Sequence, residues 1–412
     1  MMNFLDAARS QYLAVNSGTF YWMLSRAPLQ GGFLNTKHNS LTLQDYGNAD
    51  GMRGPDYTYG WIQGRGLEAL ATHANFFDLE LPPLATKLDA TGKALYPLLE
   101  KLIAKDGHAY FCYDPDHNPV YPDQNYKLAR QNPANNIYTY SDAFVSKGLM
   151  VASNRYHGAP DKNHVAYLDN VIQAIENGRF QIDERQPLSK MAIEKQPDDI
   201  GPRMILLGAA ALFNRVGLHN HTAYAGRFIS HIIDRHFDVK TGLLRNVPEG
   251  DECNVGHGIE FVGFALDYLG EDADPSLIKN LEKILLASFK TGFINPGIAL
   301  SVSVATTQAT NKTCPWWSLP ETIRAAALLY ERNRSNEVLD VWKTADQAFF
   351  KNYWLGTPPL ARQTMTQDGQ IDFVPATPDL DPGYHTGLSL LAALQVADRL
   401  SNKSSLSATH KV

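Results

Sequence analysis

The chain of 412 residues is short of cysteine and has no long hydrophobic run. Its three cysteines, Cys112, Cys253 and Cys314, are far apart and without CxxC spacing, which argues against a disulfide framework or a zinc cluster and favours a reducing compartment. The longest apolar run, near 204–213, has about half of the ~20 residues that span a bilayer. The N-terminus lacks the pattern of a secretion signal. These absences predict a cytoplasmic protein without membrane contact.

An excess of positive charge is also missing. The chain has 37 Lys and Arg against 43 Asp and Glu, a formal net charge of −6, and no basic stripe, so nucleic acid is not an expected partner. Hydrophobic residues make up 44% of the chain, which is typical of an ordered globular protein. No Pro/Gly-rich linker interrupts the sequence. We therefore expect one domain over 1–400 and a frayed polar tail over 401–412.

Helical periodicity dominates the sequence, and the helical segments are of two kinds. One kind is rich in Ala, Gly and Leu, as in "IEFVGFALDYL", whereas the other is amphipathic, as in "SLIKNLEKILLASF". A helix that is apolar on most sides is buried, and one with a charged face borders water. Their alternation predicts an inner and an outer layer. The twelve segments are 3–24, 58–79, 83–105, 139–157, 161–180, 200–215, 218–237, 256–270, 274–290, 317–334, 336–352 and 384–400.

The connections between these segments have two lengths. Links from an inner to an outer helix are short, and links from an outer to an inner helix are long, so the long loops gather where the inner helices begin. Segments such as "DGHAYFCYDP" and "QDGQIDFVP" carry hairpin signals. The pattern predicts an all-α fold, an (α/α)6 barrel of six helical hairpins with long loops and short β-hairpins at its mouth. A solenoid of two-helix repeats is the alternative, but the repeats lack a shared period.

The first turns of the inner helices carry recurring aromatic and ionisable residues. His257 and Glu260 are spaced i, i+3 and share a helix face. A helix N-terminus and a neighbouring glutamate act on a histidine in opposite directions, which suits proton transfer near neutral pH. Trp316 and Trp317 would offer flat apolar faces to a sugar. The other candidates at equivalent positions are Arg65, Tyr140, Asp142, Arg203, Glu321 and His385.

Each of these residues also has a structural interpretation. A His–Glu pair can belong to a helix cap, a Trp-Trp dipeptide can be core, and Asp142 or Asp381 can be an N-cap or turn residue. The recurrence of such residues at one end of six helices favours a site. We assign the remaining histidines to surface or packing, including His219 and His221, whose "HNH" has no carboxylate support in the sequence for a metal.

Five ordered motifs resemble the N-acylglucosamine 2-epimerase family. "YGWIQGRGLEALA" resembles its Trp-x-Gln-Gly-Arg motif, "YSDAFVSKGLMVAS" its Asp-Ala-Phe motif, and "GHGIEFVGFALDYL" its Gly-His-x-x-Glu motif. "WWSLPETIRAAALLYE" is similar to its Trp-Trp…Glu helix, and "PGYHTGLSLLAAL" stands where the family has its final histidine. With the "GGF" segment, the matches extend from about residue 31 to 395.

The resemblance implies an isomerase on an (α/α)6 barrel. Such an enzyme epimerises C2 of a free reducing sugar, or interconverts aldose and ketose, through an enediolate and without a metal or redox cofactor. Its partner would be a small-molecule sugar, and the protein a monomer or homodimer. The resemblance implies that His257 and His385 transfer protons. Arg65 and Glu260 would hold the open-chain sugar, Trp316 and Trp317 would line the ring-binding wall, and further substrate-binding candidates are Tyr140, Arg203 and Glu321.

Two departures from the family pattern affect substrate identity. The third inner helix of the family opens with Asn-Pro-x-Met-His-x-x-Glu, but here Ile205 replaces the histidine and Gly208 the glutamate. Arg203 in the same turn could receive an anionic substrate. The arginine that usually follows the final histidine is missing from "HTGLSLL". The sequence therefore leaves open which sugar is used, whether the product is an epimer or a ketose, and which histidine is the base.

Two other classes of function stay open at this point. A glycoside hydrolase on the same barrel would need two carboxyl groups about 5 to 10 Å apart, for which Asp142, Glu260, Glu321 and Asp381 are candidates. A sugar-binding protein without catalysis is compatible with the altered third helix. Two imidazoles that share one cavity would favour isomerisation, whereas two facing carboxylates would favour hydrolysis.

Overall fold

The computed structural model describes residues 2–123, 127–371 and 379–409, and most of them are helical. Within these ranges no helix combines the length and the hydropathy that crossing a membrane requires. The helices are α1 (Met2–Ser25), α2 (Gly60–Glu80), α3 (Pro82–Ile103), α4 (Tyr140–His157), α5 (Lys162–Glu176), α6 (Lys190–Lys195), α7 (Gly201–Arg215), α8 (Ala223–His236), α9 (Val255–Tyr268), α10 (Pro275–Gly292), α11 (Ser318–Asn333), α12 (Asn336–Ala348) and α13 (Ser389–Thr409).

Every one of the twelve predicted helical segments is present, and α6 is an additional short helix in a long loop. Two predicted helices contain π-helical turns, Phe349–Tyr353 after α12 and Tyr384–Leu388 before α13. Short 3-10 helices form at Asn48–Arg53 and His219–His221. Helix α13 extends to Thr409, into the segment expected to fray, and residues 410–412 lie outside the described ranges.

Among the described residues, short strands form four small antiparallel sheets in the long loops. The sheets have the orders β1-β2, β3-β4-β5-β6, β7-β8-β9 and β10-β11-β12, and β3, β7 and β10 lead into the inner helices α2, α9 and α11. This confirms the expected β-hairpins at the starts of inner helices. The strands are β1 (His38–Asn39), β2 (Gln44–Asp45), β3 (Thr58–Tyr59), β4 (Cys112–Tyr113), β5 (Pro119–Pro122), β6 (Leu128–Arg130), β7 (Glu252–Asn254), β8 (Ser301–Ser303), β9 (Ala309–Asn311), β10 (Cys314–Pro315), β11 (Thr364–Thr366) and β12 (Gly369–Gln370).

The chain divides into two compact units. The first unit comprises Met1–Phe20, Phe228–Thr377 and His385–Val412, and the second comprises Tyr21–Arg227 and Pro378–Tyr384. In the first unit α9 packs on α10 and α11, and α11 also packs on α12 and α13. In the second unit α2 packs on α3 and α4, and α4 also packs on α5 and α7. Each unit is therefore built from helical hairpins, and the single domain over 1–400 stays a prediction.

Glycines let the inner helices of the second unit approach backbone to backbone. A Cβ added to Gly64 of α2 would lie 2.6 Å from the backbone of Phe144 and Val145 in α4. A Cβ added to Gly148 would lie 2.4 Å from the carbonyl oxygen of Gly64. Only glycine fits at such distances. This crossing brings the helical turns of Arg65 and Lys147 close together.

In the first unit a glycine brings an indole ring against α9. A Cβ on Gly256 would lie 2.4 Å from the ring of Trp317, so only glycine allows this ring to approach so closely. Asn254 caps α9 by accepting a hydrogen bond from the backbone N–H of His257 at 3.2 Å. The cap and the glycine together place His257 beside Trp317 at the start of the helix.

Candidate active site

Three elements of the first unit converge on His385, which is buried in the π-helical turn before α13. Its Nδ1 lies 2.9 Å from Oε1 of Glu321, in the first turn of α11. The same atom lies 3.9 Å from Oε1 of Glu260, in α9. Both carboxylates are buried. We call these three residues, with Arg324, the His385 cluster.

The charge of Glu321 determines which nitrogen of His385 carries a proton. Burial alone raises the pKa of Glu321, but Arg324, His385 and Ser389 together hold this pKa below its ordinary value. Nη1 of Arg324 lies 3.2 Å from the second carboxylate oxygen, Oε2. An ionised carboxylate only accepts hydrogen bonds, so Nδ1 of His385 donates its proton to Glu321. In the neutral imidazole Nε2 is then the basic nitrogen.

Both histidines predicted to transfer protons contact one indole ring. The ring of Trp317 lies 5.6 Å, between centroids, from the ring of His257 and 5.6 Å from that of His385. The rings of Trp316 and His385 are nearly perpendicular, with 6.2 Å between their centroids. His257 is half-buried at the start of α9. The first unit thus brings together His257, His385, Glu260, Glu321 and the two tryptophans, as a site requires.

The His385 cluster also has the composition of a metal site. Glu260, Glu321 and His385 each offer one ligand atom, and these atoms lie within 4.8 Å of one another. Carboxylate oxygens and an imidazole nitrogen suit several divalent ions. However, Nδ1 of His385 and the guanidinium of Arg324 already bond to Glu321. A proton and a guanidinium therefore supply positive charge to this carboxylate, and the donor set fits a proton-transfer site better than a metal centre.

In the second unit Arg65 lies in a stack of three aromatic rings. Its guanidinium carbon lies 4.1 Å from the ring centroid of Phe144, 4.5 Å from that of Trp61 and 4.8 Å from that of Tyr384. Aromatic faces attract a guanidinium, whose N–H groups donate hydrogen bonds from its edge. The rings therefore set the orientation of the Arg65 side chain.

Two buried ionic residues that are absent from the predicted site lie beside this stack. Nζ of Lys147 lies 3.2 Å from Oε2 of Glu68 and donates a hydrogen bond of 2.8 Å to Oη of Tyr384. The sequence carries one signal for them, because each is a charge inside an otherwise apolar inner helix. Arg324 carries the same signal, a charge within an inner helix, and is also absent from the predicted site. We call Arg65, Lys147, Glu68 and the three rings the Arg65 cluster.

Two other predicted substrate-binding residues lie near the start of α7 in the second unit. The hydroxyl of Tyr140 is so close to Gly201 that a Cβ there would be 2.4 Å away. Nη1 of Arg203 donates a hydrogen bond of 2.7 Å to Asp198, an acid that the sequence analysis did not consider. Their roles in binding stay predictions.

Asp142 has a capping role, but as the N3 residue of a capping box whose N-cap is Thr139 and not as the N-cap itself. This residue is buried in the capping box of α4, and it accepts hydrogen bonds from the backbone N–H of Thr139 at 2.8 Å and from the hydroxyl of Tyr167 at 2.5 Å. For the histidine pair in "HNH" one expectation was wrong. His221 does contact a carboxylate, that of Asp169, at 2.8 Å.

Comparisons with known proteins bear on the fold. No family model matches the sequence, and no curated protein matches it. Among solved structures, cellobiose 2-epimerase from Spirochaeta thermophila DSM 6192 superimposes with a TM-score of 0.72 at 13% identity, over 97% of this chain and 98% of its own. D-mannose isomerase superimposes with a TM-score of 0.68 at 12% identity, over 95% of this chain and 97% of its own.

A hydrolase shares the architecture more distantly. An unsaturated glucuronyl hydrolase specific for heparin superimposes with a TM-score of 0.55 at 10% identity, over 96% of this chain and 98% of its own. These similarities confirm the predicted fold class, an all-α (α/α)6 barrel of helical hairpins. Sugar epimerases and an isomerase are among the similar structures, and at these identities the likeness shows the shared fold.

Proposed function

We propose that the protein is a sugar isomerase that moves a proton at C2 of a free reducing monosaccharide. The observation that carries this proposal is the contact of two imidazoles with one indole, with Nδ1 of His385 fixed by ionised Glu321. Similar structures named cellobiose 2-epimerase and D-mannose isomerase support it. Both are named for reactions that rearrange a sugar without cleaving it.

The reaction begins when the sugar opens to its carbonyl form. A neutral imidazole then takes the proton from C2, and the electron pair moves into an enediolate whose oxygen carries the negative charge. Donors aimed at this oxygen lower the barrier, and Arg65 is the proposed guanidinium donor. Return of the proton to C1, with transfer of the O2 hydroxyl proton to O1, gives a ketose. Its return to the opposite face of C2, with the carbonyl re-formed at C1, gives an epimer. The Trp317 ring supplies a flat apolar face for the sugar.

Hydrolysis by paired carboxylates fits the His385 cluster less well. A glycosidase needs one carboxyl group that protonates the leaving oxygen and a second that attacks or activates water. Glu321 is 0% exposed and is bonded to Arg324 and His385. A carboxylate held ionised in this way is a poor proton donor. The geometry therefore favours isomerisation.

Isotope exchange tests the proposal directly. The protein is incubated with a panel of aldoses, ketoses and uronates in heavy water. Proton NMR then records the loss of the C1 and C2 proton signals as deuterium is incorporated. We expect the wild type to incorporate deuterium into at least one sugar. His257→Ala and His385→Ala should each lower the rate on the order of 100-fold or more, the usual contribution of a positioned acid or base. His219→Ala, an exposed histidine of the 3-10 helix, should leave it unchanged.

Each other outcome of this experiment has a defined meaning. Full exchange in His257→Ala or His385→Ala would remove that histidine from the mechanism. In a parallel incubation with glycosides, release of a sugar without exchange would indicate a hydrolase. Saturable binding of a monosaccharide without any turnover would indicate a non-catalytic sugar-binding protein.

A further inference from the structure

We propose that Lys147 is a positioning residue that, through Tyr384 and together with Glu68, fixes the aromatic stack that orients Arg65. The proposal rests on the proposed function, because the role of Arg65 in holding the sugar belongs to that function. Lys147 itself is 0% exposed and so lies too deep to reach solvent. Its effect on catalysis would be indirect.

The burial of Lys147 is the first reason to assign it a role. A lysine is almost never fully buried unless it is paired, because removing its charge from water is costly. Here the pair is with Glu68, 3.2 Å away on the adjacent inner helix. Apolar side chains of similar volume would hold two helices together as well or better. Helix packing alone therefore does not account for the pair.

The second reason is the path of contacts from Lys147 to Arg65. Nζ of Lys147 donates a hydrogen bond of 2.8 Å to Oη of Tyr384, which fixes the position of the phenol. The guanidinium carbon of Arg65 lies 4.8 Å from the centroid of the same Tyr384 ring. Nζ of Lys147 also lies 5.5 Å from the ring of Phe144, which Arg65 contacts at 4.1 Å. Two cations thus share two rings.

The helical spacing places the ion pair and the stack at the same level. Glu68 follows Arg65 by three positions on α2, and Lys147 follows Phe144 by three positions on α4, so each pair shares a helix face. The ion pair therefore joins α2 to α4 one turn below the stack. Loss of Nζ would leave Tyr384 without this donor and Glu68 as a buried charge without its lysine partner.

The test separates positioning from stability with a single and a double variant. Lys147→Met should lower the unfolding temperature, and it should lower kcat/KM on the order of 10- to 100-fold, because small misplacements of a binding group cost that much. Lys147→Met/Glu68→Gln removes both charges and should regain the unfolding temperature. It should not regain kcat/KM, because the hydrogen bond to Tyr384 is still missing.

Arg155→Met is the matched control. Arg155 also joins α4 to α2, by an ion pair with Asp78, and it lies two turns further along α4. This variant should lose thermal stability, because the largely buried side chain of Arg155 also pairs with Asp89 of α3. Its kcat/KM should stay within about twofold of the wild type, since Arg155 contacts no ring of the stack in the described contacts.

A crystal structure of Lys147→Met provides a readout that does not depend on turnover. We expect the Tyr384 ring to rotate and the guanidinium of Arg65 to leave it. The proposal is overturned if Arg65 keeps its place in the stack, or if the double variant regains wild-type kcat/KM. If the wild type turns over no sugar, the proposed function fails, and the crystal structure still decides whether Lys147 positions Arg65.

Discussion

The His385 cluster and the Arg65 cluster are built from similar parts but have different roles. The first sets which nitrogen of an imidazole is protonated, and the second sets the position of a guanidinium. Each contains a buried glutamate paired with a cation, Glu321 with Arg324 and Glu68 with Lys147. In the His385 cluster the glutamate contacts an imidazole, whose two nitrogens can each accept or donate a proton. In the Arg65 cluster the lysine of the pair contacts a ring against which a permanently charged guanidinium lies.

The comparison teaches that the partner of a buried ion pair decides what the pair does. Beside an imidazole, the charges set which nitrogen holds a proton. Beside an aromatic stack, they set where a side chain lies. The pair in the His385 cluster is local, because Arg324 follows Glu321 by three positions on one helix. The pair in the Arg65 cluster joins two helices, which suits positioning.

The largest expected effect comes from removing the charge that fixes the His385 tautomer. In Glu321→Gln the amide oxygen can accept a hydrogen bond from Nδ1, or the amide NH2 can donate one to it, so His385 loses its single tautomer. We expect kcat to fall on the order of 100-fold. The unfolding temperature should fall as well, because the buried guanidinium of Arg324 loses the charge of Glu321. Steady-state kinetics checks this. Glu331→Gln, on the same helix and paired at the surface with Arg399, should behave as the wild type. An unchanged kcat in Glu321→Gln would mean that the charge of Glu321 does not control the function of His385.

A smaller effect is expected at a buried acid whose hydrogen bonds come from neutral groups. Burial raises the pKa of Glu184 to about 7, although Thr139 and Ser141 donate hydrogen bonds that oppose this. An acid with a raised pKa favours folding below its unfolded pKa of about 4.3, and this contribution is lost as pH rises through about 7. Between pH 5 and pH 8 the wild type should therefore lose about 2 kcal/mol of unfolding free energy that Glu184→Gln keeps.

Chemical denaturation of both proteins at the two pH values measures this difference. Glu176→Gln, which lacks an exposed pair with Arg227, should follow the wild type at both pH values. Equal losses in the wild type and in Glu184→Gln would mean that Glu184 is ionised throughout this range. That result would show that a buried acid here does not need a cation to stay charged.

The smallest effect is expected at the indole that both histidines contact. Trp317→Leu keeps an apolar side chain but removes the flat face, so KM should rise about 3- to 10-fold, the range of a single aromatic contact. Initial-rate measurements with the sugar found in the exchange panel give this value. Trp354→Leu is the control, because Trp354 packs against the ring of Phe349. A KM that is unchanged in Trp317→Leu would leave the indole with a packing role only.

The sequence predicted the helices and the hairpins because their signals are local. Apolar spacing, caps such as Asn254, and short or long connections all lie within a few tens of residues. The positions of His257, His385 and Trp317 followed from their places in the first turns of inner helices. Helix α6 was missed because six residues within a long loop carry too little periodicity.

The ionic partners within the clusters could not be predicted in the same way. Lys147 and Glu68 are 79 positions apart, and Glu321 and His385 are 64 positions apart. A charge in an apolar helix signals that a partner exists, but the identity of that partner depends on how helices are packed. For example, the sequence does not show that Glu321 lies nearer to Nδ1 of His385 than Glu260 does.

The close crossing of α2 and α4 limits how this protein can acquire a new substrate. Gly64 precedes Arg65 and Gly148 follows Lys147, and neither glycine leaves space for a methyl group. Any mutation that separates these backbones would therefore displace the guanidinium and the ammonium together. Under the proposed function, directed evolution toward other sugars has more freedom in the long loops that precede the two helices, and libraries that keep both glycines should retain far more active members.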